Sequence, residues 1–311
     1  MFHWLNRLLV VSAVSLLAAC GGGDDDHPAP ANIVQTAQGD PQFSILVEAV
    51  TAADLGTTLS GPGPFTVFAP TNDAFGALLT ELGITKAQLL ADKPLLTKVL
   101  TYHVLPAKVL RADIPLGRAI TTVEGDIVKI DSAGAGLQIT DGRNRKSNIV
   151  KADVLASNGV IHAIDKVLLP PDKTVVQTAV ANPDFSILVE AVTAAGLADT
   201  LNGRGPFTVF APTNAAFGAL LTELGITKAQ LLANTPLLTK VLTYHVIPAR
   251  VLKAEITLNT PIATVETETL RIGAGFVITD QRGRTSNIVA TDILASNGVV
   301  HAIDKVILPA P

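Results

Sequence analysis

Tyrosine occurs at two positions in this 311-residue chain, and histidine follows it both times, as Tyr102-His103 and Tyr244-His245. A phenol beside an imidazole can donate, accept and relay protons, so a repeated pair is a candidate for acid–base chemistry or for contact with a partner. The surrounding residues favour a different role. In PLLTKVLTYHVLP, Leu96, Val99, Leu100 and His103 recur at helical spacing, which sets the imidazole on the stripe facing the core. A histidine so placed is neutral and hydrogen-bonded, and the Tyr102 hydroxyl is then the part of the pair expected at the surface. His162 and Asp165 lie three apart on a strand-like segment, so they face opposite ways and form no local pair. The chain has no G-x-S-x-G elbow, H-E-x-x-H or phosphate loop. No catalytic group, metal site or cofactor is predicted, and an enzyme would need a polar cluster assembled from distant residues.

The one cysteine, Cys20, ends an apolar run, LLVVSAVSLLAA, that is too short to span a bilayer. Small residues leading directly into that cysteine, LAAC, resemble the lipobox of bacterial lipoproteins. The resemblance implies that residues 1–19 are a signal peptide and that Cys20 is acylated, tying the chain to a Gram-negative envelope. Gly21, in place of an aspartate, leans toward the outer membrane. GGGDDDHPAP then reads as a flexible acidic tether over residues 20–31, since its aspartates repel one another and lack the fixed geometry of a calcium loop. With Cys20 lipidated no thiol remains for disulfides or thiolate chemistry. A net charge of −4 with no basic block excludes nucleic acid as a partner.

The elements come in duplicate. FSILVEAVTAA at 43–53 returns at 185–195, and GALLTELGITKAQLLA at 76–91 returns unchanged at 218–233. A period this long means two whole domains, taken as 32–170 and 171–311. The first half of each copy is helical: a Phe43, Leu46, Val47, Val50 stripe, a helix from a Thr/Asn cap to Gly83, and a Thr85…Gln88 capping box. The second half turns to short β-branched segments. It ends in two strands flanking Asn158-Gly159, a strong hairpin signal, and RNRK (143–146) reads as a solvated hairpin tip. Helices followed by antiparallel strands make each copy α+β. The short proline-rich joint Pro170–Lys173 predicts close, restrained neighbours.

Three segments of each copy resemble the fasciclin-type (FAS1) domain family. These are PFTVFAPTNDAF (64–75), the Tyr-His pair and LASNGVIHAIDKVLLP (155–170), with counterparts at 206–217, 244–245 and 294–309. The resemblance implies two tandem domains, each a wedge-like β-sandwich with a helical layer, working in extracellular adhesion and binding without enzymatic activity. In animal members the Tyr-His region and an Asp-Ile pair before the Asn-Gly turn are linked to integrin binding. The positions carried over are Tyr102, His103, Asp153 and Val154, then Tyr244, His245, Asp292 and Ile293, with Val154 departing from the isoleucine. The expected partner is a protein or matrix surface. The alternative is a periplasm-facing component that binds a small ligand or another protein.

Overall fold

The computed structural model describes Pro30–Pro311. The signal peptide, Cys20 and nearly all of the tether lie outside the described residues. In the first copy α1 (Ile33–Gln38), α2 (Ser44–Ala52) and α3 (Gly56–Ser60) lead into β1 (Phe65–Pro70). Then come α4 (Asn72–Leu82), α5 (Lys86–Ala91), α6 (Lys93–Tyr102) and β2 (Val104–Leu105). The strands β3 (Ala119–Thr121), β4 (Ile127–Ala133), β5 (Gly136–Thr140), β6 (Lys146–Ala156) and β7 (Gly159–Ile164) complete it. The second copy repeats the plan, from a helix at Val175–Val180 to a strand at Gly298–Ile303.

The helix signals act locally. Thr71 accepts from the Ala74 amide at the head of α4, and Thr85 with Gln88 closes a full capping box on α5. Asn72 does not cap its own helix. Its Oδ1 accepts from the Ile45 amide and its Nδ2 donates to the Pro41 carbonyl, so it staples α2 to α4.

The seven strands run in the order β2-β1-β7-β6-β5-β4-β3, in which the neighbours β1 and β7 are parallel. Alternation then sorts side chains between two cores. Val67, Ala69, Ile161 and Ala163 face the helices, where they join Phe43, Leu46, Phe75 and Leu96. Phe68 and Ile164 face the other way and meet Ile130 and Ile139 of the distant strands β4 and β5. The sheet therefore folds over on itself, and the long strand β6 carries the bend at two register shifts. A sandwich of two half-sheets under one helical layer results.

The hairpin differs from its sequence reading by one residue. Ser157 and Asn158 form the turn, while Gly159 opens β7 opposite Ala156. Gly159 is glycine because of β1, since a Cβ there would lie 2.1 Å from the Phe65 carbonyl oxygen. Asn158 serves as an anchor: it accepts from the Ile33 amide and donates to the carbonyls of Leu59 and Gly61.

Candidate functional site

Both Tyr-His pairs are internal. Tyr102 has no exposed surface, and its hydroxyl donates to the Ile127 carbonyl at 2.6 Å. The expectation that this hydroxyl reaches the surface is corrected. It lies between the half-sheets, where β4 offers a carbonyl within its reach. Burial pushes the Tyr102 phenol well above its ordinary pKa, and Tyr244, donating to the Thr269 carbonyl, is pushed up likewise.

His103 caps the end of α6, with Nδ1 2.7 Å from the Val99 carbonyl and Nε2 accepting from the Leu168 amide at 2.9 Å. One nitrogen must carry the proton and the other must not, which defines the neutral Nδ1–H tautomer. Burial lowers its pKa to about 4. His245 repeats the arrangement with Val241 and Ile307, and its pKa is also about 4. These imidazoles have no lone pair or proton left for a ligand.

The acidic pairs fare differently in the two copies. Two residues of β6, Ala152 and Asp153, stand opposite the single residue His162 of β7, forming a bulge with Asp153 at φ +59°. A bulge leaves an amide without a strand partner, and here His162 Nδ1 accepts from the Asp153 amide at 3.2 Å. His162 Nε2 donates to the Val109 carbonyl, which ties the bulge to the chain leaving β2. Asp153 Oδ1 in turn accepts from the Arg111 amide at 2.8 Å. Sequence reasoning missed this unit because His162 and Asp153 meet across a hairpin. Val154 turns inward to the edge of the helical core, and Ile293 does the same in the second copy. Leu155 is the neighbour that faces out.

In the second copy the same face is covered by the first copy. Asp292 Oδ1 accepts from the Lys253 amide, and Oδ2 accepts from Lys129 Nζ of the first copy at 2.8 Å. Burial opposes the Lys129 ammonium, but the hydrogen bonds and charges of Asp292 and Asp131 outweigh it and raise its pKa. Asn144, at the tip of the RNRK hairpin, accepts from the Leu294 amide and donates to the Leu294 carbonyl. Ile127 packs on Leu252, Leu294 and Val299 between the two copies. The tip is therefore a docking element, and its arginines are engaged: Arg143 pairs with Asp172 and Arg145 with Glu81. Leu294 is 2% exposed, whereas its counterpart Leu155 is 63% exposed.

Among the described residues no group of three His, Cys, Asp or Glu side chains is placed to hold a metal ion, and no helix is long and apolar enough to cross a membrane.

Comparison with known proteins agrees with this architecture. Residues 41–170 and 183–309 each match the Fasciclin domain family. Protein sll1483 of Synechocystis sp. is 46% identical over 142 residues, covering 45% of this chain and 73% of that protein. Transforming growth factor-beta-induced protein ig-h3 of Sus scrofa is 30% identical over 253 residues, 81% of this chain but 35% of the relative. Human periostin is 28% identical over 83% of this chain and 30% of its own length, so the chain spans about a third of these two animal relatives. Among solved structures, a FAS1 domain pair from the insect cell adhesion molecule fasciclin I aligns with a TM-score of 0.44 at 19% identity, covering 84% of this chain and 95% of that one. Matched along nearly all of its described length, the chain belongs to the fasciclin domain family and carries two tandem copies of that domain.

Proposed function

We propose that this protein is a lipid-anchored adhesion or binding module of a bacterial envelope, with the open Asp153–Leu155 face of the first domain as its working surface. Tandem fasciclin domains typically serve adhesion or binding. The observation that carries the choice of face is the contrast between Leu155 and Leu294, equivalent residues of which one is open and the other sealed. A bulge held by His162, an acidic side chain and an exposed leucine together offer a rigid polar–apolar contact to a protein or matrix surface. The Tyr-His pairs support that surface from within, and Asp292 and Ile293 are occupied inside the molecule.

Two measurements test the reading. Cys20→Ala should abolish fatty-acid labelling and release the chain from membranes; unchanged labelling would remove the anchor. Cells displaying the full chain should bind a matrix-protein-coated surface, and Leu155→Asp should reduce that binding several-fold while the chain stays folded and equally accessible to external protease. Equal binding by the variant would remove this face from the function. A chain shielded from protease in intact cells would place it facing the periplasm.

A further inference from the structure

The two domains repeat the same elements with many residues unchanged, so the differences that fall on their contact faces are informative. The interdomain contact joins two different faces. A docking face of the first domain, made by Gly117, Ala119, Ile127, Lys129 and Asn144, sits on a receiving face of the second, made by Leu252, Ala254, Glu255, Asp292 and Leu294. Such a head-to-tail contact leaves one receiving face and one docking face unused, and repeated between molecules it would build filaments.

The unused receiving face, on the first domain, keeps its leucines and its acid, with the shorter Asp113 in the place of Glu255. Leu110, Asp153 and Leu155 stand where Leu252, Asp292 and Leu294 stand in the second, with Leu110 half-buried and Leu155 open. Asp153 holds the Arg111 amide as Asp292 holds the Lys253 amide. The Asp153 side chain is 41% exposed against 4% for Asp292, so an oxygen faces solvent where Asp292 receives a lysine.

The unused docking face, on the second domain, has lost its fit position by position. Pro261 replaces Ala119, whose amide donates to Glu255, so that donor is gone. Gly283 replaces Asn144 and removes both hydrogen bonds to the leucine backbone. Thr269 replaces Ile127 at the centre of the apolar contact. Asn259 replaces Gly117, where any Cβ would lie 2.9 Å from that of Ala254, closer than two such atoms pack. Only the cation is kept, as Arg271 for Lys129.

We infer that the open Leu110–Asp153–Leu155 face of the first domain receives a fasciclin-type domain of another polypeptide, one that presents a free amide, an apolar residue, a cation and an asparagine-tipped hairpin as the first domain does. This rests on the reading of that face as the working surface and names its partner. The changes in the second domain keep the chain from filling the face with copies of itself.

Restoring the docking face supplies the probe. The full chain carrying Asn259→Gly, Pro261→Ala, Thr269→Ile and Gly283→Asn should form head-to-tail oligomers in sedimentation velocity, where the unsubstituted chain stays monomeric. Adding Leu155→Asp should return it to monomer. If the four changes impair folding, Leu294→Asp alone gives a second route. It frees the first domain's own docking face, so the chain should self-associate, and Leu155→Asp should again reverse this. A folded four-fold variant that remains monomeric at about 100 µM, where a micromolar interface would be assembled, overturns the inference. So does association indifferent to Leu155→Asp, or Leu155-dependent oligomers of the unsubstituted chain. Adhesion of displaying cells is a separate readout, so losing the partner assignment would leave the working surface standing.

Discussion

His103 illustrates how one side chain can be stabilising without being reactive. Its two ring nitrogens are committed to Val99 and Leu168, and protonating Nε2 would set its new hydrogen against the Leu168 amide. The folded pKa is about 4 and the unfolded value about 6.5, so the unfolded chain binds more protons between them. The stabilisation is therefore present above about pH 6.5 and is lost as pH falls through that window, on the order of 3 kcal/mol per histidine. His103→Gln should be destabilised at pH 7, and its deficit relative to wild type should shrink by pH 4.5 in denaturant titrations. A deficit that stays constant with pH would contradict the neutral tautomer. Tyr102→Phe tests the phenol separately. It should cost about 1 kcal/mol through the orphaned Ile127 carbonyl and leave adhesion unchanged. Lost adhesion without lost stability would return the pair to the binding surface.

At the level of elements, the two copies form a natural comparison. The helix Asn72–Leu82 has Asp73 in its first turn, while Asn214–Leu224 has Ala215 and no acid there. A carboxylate among the free amides of a first turn contributes roughly 0.3–1 kcal/mol, so Ala215→Asp should raise the second domain's melting midpoint slightly. A drop would show that the side chain meets something other than the helix end. The bulge in β6 is the element on which the working face depends. His162→Leu removes the acceptor for the Asp153 amide and should destabilise the first domain by about 1–3 kcal/mol. It should also weaken adhesion, because Asp153 is no longer held at its left-handed backbone angle.

For the whole molecule, the Lys129–Asp292 pair is the enclosed charge contact between the two domains. Both side chains are nearly enclosed, and removing one partner strands the other's charge. Lys129→Met should cost about 3–5 kcal/mol of interdomain stability and split a coupled thermal transition into two. The double variant Lys129→Met/Asp292→Asn should recover most of this, since asparagine keeps the acceptor for the Lys253 amide without the charge. If both variants melt like wild type, the contact is held by Ile127 and Asn144 and the ion pair contributes little.

Features that depend on neighbours along the chain were legible before folding. Caps at Thr71 and Thr85, the helical stripe of Leu96, Val99 and Leu100, strand alternation and the duplicated family segments all follow from local geometry and local propensity. The burial of His103 was legible for the same reason. Which polar atoms meet across the fold follows from long-range packing: Tyr102 with Ile127, His162 with Asp153, Asn158 with Leu59. It also decided the fate of the two acidic pairs. Asp153 and Asp292 sit at equivalent positions of matching bulges, each ahead of the same Leu-Ala-Ser-Asn-Gly run. One is open and the other enclosed because the two domains meet through unlike faces, and that asymmetry arises when one copy docks on the other.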